Sequence, residues 1–189
     1  MAPTLRVGSH AAICTLLNSQ VRFFVMSLCL LTLLLSCGIG EPSDCDDRKD
    51  PAYEIIRVTT DDGIVICGRW FGVGETAVIL SHMDGADQEG WREFAATLAS
   101  HRYTAVTFNF RGHSPSEGTR DNLASDLDLN AVLKNVTDNG INEIYLFGAG
   151  IGAAASVKIA AKRDVLGIVI LSPSFEHGEL DALEYVSKI

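Results

Sequence analysis

The sequence lacks three features that would each point to a class of function. It has no cluster of lysine and arginine, no metal-type spacing of cysteine and histidine, and no internal repeat. After residue 36, 13 basic residues stand against 24 acidic ones, which gives that part of the chain a net charge of −11. An acidic domain without basic patches argues against nucleic acid as a partner. Without ligand-type spacing we expect no metal site, and the sequence implies no cofactor.

The apolar run near the N-terminus is too short to span a bilayer securely. It follows Arg22, contains about a dozen residues and is typical of a signal peptide. The run ends in Leu34-Leu35-Ser36-Cys37, which resembles a bacterial lipobox. This resemblance implies a lipoprotein-type signal peptide over residues 1–36, lipidation of Cys37 and a polar tether over residues 37–52. The expected location is the bacterial cell envelope, with a lipid anchor to a membrane on its periplasmic or extracellular face. An ordinary cleaved signal peptide and an N-terminal anchor helix are the alternatives.

Lipidation of Cys37 would leave Cys45 and Cys67 in the exported part of the chain. Two such cysteines can pair in an oxidising compartment. However, Cys45 lies in the predicted tether and Cys67 in a predicted strand, which argues against a disulfide between them.

From Tyr53 onward, strand-like runs alternate with segments of helical spacing. Strands are predicted at residues 53–60, 64–71, 77–81, 103–110, 144–147 and 165–171. Helices are predicted at residues 91–100, 123–136, about 153–163 and about 180–186. Asp61-Asp62-Gly63 predicts a hairpin turn between the first two strands. The pattern indicates an α/β domain over residues 53–189, with an N-terminal antiparallel hairpin, a mainly parallel sheet and helices on both faces. Asp126 and Asp128 are expected on a solvated helix face.

A glycine-rich turn, Gly148-Ala149-Gly150-Ile151-Gly152, joins a predicted strand to a helix of small residues. This has the form of a nucleophile elbow, in which G-x-S-x-G presents a serine on a sharp strand-to-helix turn. The central position is Gly150, which has no side chain. The turn therefore predicts the backbone of a nucleophile elbow without a nucleophilic side chain.

Three motifs in order resemble the α/β-hydrolase family. LSHMDGADQEGW (residues 80–91) is similar to the loop after strand 3 that supplies one oxyanion donor, and FNFRGHSPSEG (residues 108–118) is similar to the loop after strand 4. FGAGIG (residues 147–152) then takes the position of the elbow. The resemblance covers residues 53–189, is nearest to small serine hydrolases such as dienelactone hydrolases, esterases and S33-type peptidases, and implies a three-layer fold.

The resemblance assigns family roles to particular residues of this chain. Gly150 takes the nucleophile position, Ile151 supplies one oxyanion N–H, and Asp84, or less favourably Met83, supplies the other. Met83 replaces a small residue of the family and is expected to crowd that donor. By the same resemblance, His82, Arg111 and His113 are structural residues that brace their loops. His177 falls where a lid or helix begins.

The family's acid and base follow strands 7 and 8, and the chain ends where strand 7 is expected to begin. We therefore expect a domain that lacks the last strands and exposes the edge strand at residues 165–171. A truncated gene copy, a fragment of a longer chain, and a missing half supplied by a partner are the open explanations.

Three function hypotheses follow from these observations. The first is an α/β-hydrolase-like lipoprotein without hydrolytic turnover that retains a cleft for a small ester-like ligand. The second is an esterase, thioesterase or peptidase whose full-length form hydrolyses ester or amide bonds. The third is a lipid-anchored envelope module that binds a protein partner at the exposed sheet edge.

Overall fold

Six strands form one sheet in the order β1-β2-β4-β3-β5-β6 in the computed structural model, which describes residue 45 and residues 50–173 and 182–189. The strands are β1 (Glu54–Thr59), β2 (Val65–Phe71), β3 (Thr76–Ser81), β4 (Thr104–Phe108), β5 (Glu143–Ala149) and β6 (Gly167–Leu171). β1 and β2 form an antiparallel hairpin, β2 pairs antiparallel with β4, and the remaining pairs are parallel. The predicted fold class and the antiparallel hairpin are confirmed.

The helices cover both faces of the sheet. They are α1 (Arg92–Ser100), α2 (Ser125–Asp138), α3 (Ile151–Ala160) and the short α4 (Ala182–Val186). Short 3-10 turns precede α1 and α2, at Gln88–Trp91 and Asn122–Ala124. The carboxylate of Asp121 accepts a hydrogen bond from the backbone N–H of Leu123, as expected of a capping residue.

The middle strand β3 is buried on both faces of the sheet, which explains its continuous apolar sequence. Val78 and Leu80 pack on the α1 side of the sheet, together with Ala95 of that helix. Ala77 and Ile79 pack on the opposite side, in the larger core that α2 and α3 cover. A strand buried on both faces cannot alternate with polar residues, so the expected apolar run is what the fold requires.

A disulfide joins Cys45 to Cys67 of β2, with 5.5 Å between the two Cα atoms. The expectation that these cysteines do not pair was therefore wrong. Cys45 is buried, and Sγ of Cys67 lies 3.4 Å from the carbonyl oxygen of Pro115. The hydroxyl of Ser116 accepts a hydrogen bond from the backbone N–H of Cys67. Part of the segment predicted as a tether is thus attached to β2, beside the loop that contains His113.

The last strand, β6, hydrogen-bonds to β5 on one side and forms the edge of the described sheet. Three of its apolar side chains are exposed, those of Val169, Ile170 and Leu171. The use of this edge by a partner stays a prediction. In the part of the chain that the structure describes, no helix has the length and apolar character needed to cross a membrane. Cys37, His177 and the predicted signal peptide lie outside the described residues.

Candidate functional site

Gly150 lies at the sharp bend between the end of β5 and the start of α3. Its backbone has φ +55° and ψ −116°, a left-handed conformation that residues with side chains rarely adopt. Its N–H donates to the carbonyl oxygen of Leu171 at 3.0 Å, and its own carbonyl accepts from the N–H of Ala154 at 3.3 Å. The backbone therefore has the elbow form that the glycine-rich turn predicts, without a side chain at its apex.

The neighbouring Gly152 allows α3 to approach β3 closely. A Cβ atom at this position would lie 2.6 Å from the carbonyl oxygen of Ser81 and 2.8 Å from that of His82. Both atoms belong to the backbone, so they cannot move aside without shifting the strand. The small residue at 152 thus sets the distance between α3 and the end of β3.

The loop after β3 faces the elbow through Met83. A Cβ atom built on Gly150 would lie 2.9 Å from Cβ of Met83 and 3.4 Å from its Cα. The backbone nitrogen of Asp84, the predicted oxyanion position, lies 4.0 Å from the same point. Ile151, which carries the other predicted donor, is the first residue of α3. The structure therefore brings Gly150, Ile151 and Asp84 together, and Met83 is the loop residue that faces Gly150.

His82 is buried and uses both ring nitrogens within the loops. Nε2 accepts a hydrogen bond from the N–H of Phe110 at 3.1 Å, so the ring proton resides on Nδ1 and is donated to the carbonyl of Met83 at 2.8 Å. Burial lowers the pKa of His82 to about 4, because the charged imidazolium would lose its hydration. A neutral ring with both nitrogens occupied joins the loops after β3 and β4.

The other histidine of the site, His113, packs edge-on against His82, with 4.8 Å between the ring centroids. Its Nδ1 lies 3.3 Å from the carbonyl oxygen of Arg111. Its Nε2 is buried and has no hydrogen-bond partner among the described residues. Oδ1 of the Asp84 carboxylate lies 3.9 Å from that nitrogen. Oδ1 of Asp84 also lies 3.9 Å from Nη1 of Arg120.

Arg111 is buried and pairs with one buried carboxylate, Asp128, and one exposed carboxylate, Asp62. Its Nε donates to Oδ1 of Asp128 at 2.9 Å, and its backbone N–H donates to Oδ2 of the same carboxylate at 2.9 Å. The guanidinium also binds Asp62 in the hairpin turn, at 2.6 and 3.0 Å. The Arg111 guanidinium holds the pKa of Asp62 well below its usual range, whereas burial raises the pKa of Asp128 against the effect of the same arginine.

The expectation that Asp126 and Asp128 lie on a solvated helix face was wrong. Asp128 is 0% exposed and paired with Arg111. Asp126 is also buried, and its carboxylate lies 3.0 Å from Nζ of Lys158 and 3.6 Å from Nζ of Lys162. The local sequence gives no signal of these contacts, because each cationic partner lies in another part of the fold. Among the described residues, no group of three histidine, cysteine or acidic side chains could hold a metal ion.

Comparisons with known proteins agree with this architecture. A model of the alpha/beta hydrolase family matches residues 78–185, more than half of the chain. An uncharacterized protein of Mycobacterium tuberculosis strain H37Rv is 27% identical over an alignment of 142 residues, and the match covers 71% of this chain and 50% of that protein. The chain thus spans about half the length of the curated relatives it matches.

Solved structures of hydrolases share the fold. An esterase of Pyrococcus furiosus matches with a TM-score of 0.60 and 25% identity, over 72% of this chain and 53% of that one. An alpha-beta serine hydrolase homologue from Coxiella burnetii matches with a TM-score of 0.59 and 23% identity, over 69% of this chain and 67% of that one. With the family model, the sheet order and the elbow in agreement, this chain belongs to the α/β hydrolase family.

Proposed function

We propose that this protein is a lipid-anchored α/β hydrolase of the bacterial envelope that binds a small ester-like ligand without hydrolysing it. The observation that carries the proposal is Gly150 at the bend between β5 and α3, where a nucleophile would need a side chain. The likeness to an esterase supports an ester-like ligand.

The described residues around Gly150 offer no replacement nucleophile with a base. The hydroxyl of Ser81 is buried near the elbow, but it has no hydrogen-bond partner in the described part of the chain. An unactivated serine is a weak nucleophile, because catalysis needs a base within hydrogen-bond reach. His82 cannot serve as this base, since both of its nitrogens are engaged by backbone groups.

Binding without turnover remains chemically reasonable at this site. The N–H groups of Ile151 and Asp84 are the predicted donors to a ligand oxygen, and such donors act on a bound carbonyl whether or not a nucleophile is present. Met83, whose Cβ atom lies opposite Gly150 and which is 50% exposed, offers an apolar side chain beside the elbow.

Hydrolysis of p-nitrophenyl acetate by the full chain tests this proposal. We expect the unmodified protein and its Gly150→Ser variant to release p-nitrophenol no faster than buffer, because the introduced hydroxyl would have no positioned base. Gly150→Ala serves as the matched control for disturbance of the bend.

Turnover by the unmodified protein would overturn the proposal and favour the alternative of a working esterase. Turnover by Gly150→Ser alone would show that a base is present after all. His113, with its unpartnered Nε2, would then be the first residue to replace.

The lipid anchor is a separate part of the proposal and rests on the lipobox-like sequence that ends in Cys37. We expect radioactive palmitate to label the full chain expressed in a bacterial host, and Cys37→Ala to abolish the label. Cys29→Ala is the matched control, because Cys29 lies in the same apolar run and outside the lipobox-like sequence. Label that persists in Cys37→Ala would contradict lipidation at this residue.

A further inference from the structure

Met83, in the loop after β3, lies opposite Gly150 and occupies the space that a side chain at position 150 would need. The atom closest to a Cβ built on Gly150 is Cβ of Met83, at 2.9 Å, and Cα of Met83 follows at 3.4 Å. Real Cβ atoms essentially never come within 3.0 Å of a heavy atom outside their own residue and its chain neighbours, whereas 3.4 Å is an ordinary van der Waals contact. The conflict therefore involves one atom, the first carbon of the Met83 side chain.

This atom cannot move aside as the end of a long side chain would. Cβ is bonded directly to the backbone, and the carbonyl of Met83 is held by Nδ1 of His82 at 2.8 Å. His82 is in turn fixed by the N–H of Phe110. The carbonyl of Met83 also accepts from the N–H of Ala86 at 3.2 Å, which closes the loop. A side chain at position 150 would have to displace this hydrogen-bonded loop.

We infer that Met83 closes the nucleophile site: its Cβ atom occupies the space that a side chain at position 150 would need, which adds a steric cost to the conformational cost of a side chain at this positive φ. This inference rests on the proposed function and deepens it, because the site has lost room for a nucleophile as well as the nucleophile itself. A serine introduced at position 150 would then need a second substitution, at Met83, to occupy the elbow without strain.

The two possible truncations of Met83 separate this inference from a general effect of bulk. Met83→Ala removes the flexible thioether but keeps Cβ, whereas Met83→Gly removes Cβ as well. Each is combined with Gly150→Ala in the full chain, and thermal unfolding is measured for all six proteins. Gly150→Ala alone is expected to lower Tm by about 3–8 °C, since it both overpacks the contact and places a side chain at positive φ.

We expect this loss in Tm to be smaller in the Met83→Gly background and unchanged in the Met83→Ala background. The part that remains in Met83→Gly is the conformational cost of alanine at φ +55°, which the loop does not influence. If Gly150→Ala does not fold, recovery of folding by Met83→Gly and not by Met83→Ala gives the same answer.

An equal loss in the Met83→Gly and Met83→Ala backgrounds would overturn the inference. The measurement is independent of catalysis, so it also separates the inference from the proposed function. Ester turnover by the unmodified chain would refute the function and leave the coupling intact, whereas absent coupling without turnover would refute only the role of Met83.

Discussion

Replacing Arg111 with methionine should lower the free energy of unfolding by about 3–5 kcal/mol, the usual cost of leaving one member of a buried ion pair without its partner. Asp128 is fully buried and binds both the side chain and the backbone N–H of Arg111. Without the guanidinium, this carboxylate must stay charged in the protein interior or take up a proton. Since a whole domain is stable by only about 5–15 kcal/mol, the variant should be close to unfolding. Urea denaturation at neutral pH measures the effect.

Arg92→Met is the matched control for loss of an arginine. Arg92 also pairs with two acidic residues, Asp50 and Glu89, but its side chain is much more exposed than that of Arg111. Exposed ion pairs contribute little, so we expect little change in the free energy of unfolding. The double variant Arg111→Met, Asp128→Leu should recover much of the loss, because it removes the unpaired charge. Equal effects of Arg111→Met and Arg92→Met would contradict the importance of the buried pair of Arg111 and Asp128.

Acidification should lower the free energy of unfolding by about 3 kcal/mol through the protonation of His82 alone. The folded state lowers the pKa of this imidazole from 6.5 to about 4, and each pKa unit corresponds to about 1.4 kcal/mol. Below about pH 6.5 the unfolded chain takes up a proton that the folded protein excludes, so stability falls as the pH is lowered. The stability that depends on a neutral His82 is fully present above pH 6.5, declines towards about pH 4 and is then lost. Urea denaturation between pH 7.5 and about pH 4 measures the decline.

A His82→Asn variant isolates this contribution from the carboxylates that also titrate in acid. The variant is expected to be less stable at neutral pH, since it loses the hydrogen bonds to Met83 and Phe110. The stability difference from the unmodified protein should shrink as the pH falls. His101→Asn is the matched control for loss of an imidazole, because His101 is exposed whereas His82 is buried. A difference between His82→Asn and the unmodified protein that stays constant with pH would show that His82 does not cause the decline.

The fold could be predicted from the sequence largely because its signals are local. The run Ala77–Ser81 is apolar at nearly every position, which indicates a strand with both faces covered, and β3 has that placement. The sequence Gly148–Gly152 requires a tight turn between a strand and a helix, and the structure has that turn with Gly150 at positive φ. Such features depend on a few neighbouring residues, so a single sequence contains the information needed to identify them.

The contacts of the candidate site were harder to predict, because they join residues that are distant in the chain. Asp128 has the spacing of a residue on a solvated helix face, and only its encounter with Arg111 makes its burial stable. Cys45 pairs with Cys67 because the chain before β1 comes next to β2, and no local pattern in the sequence indicates this contact.

By itself, the sequence determined the order of strands and helices, the hydrolase-type motifs and the missing side chain at position 150. Only the tertiary structure decided what fills the space next to that glycine. Met83 and Gly150 are far apart in the chain and come together only because β3 and β5 lie side by side in the sheet. The pairing of these strands fixes the distance between the two residues, and this distance leaves no room for a side chain at position 150.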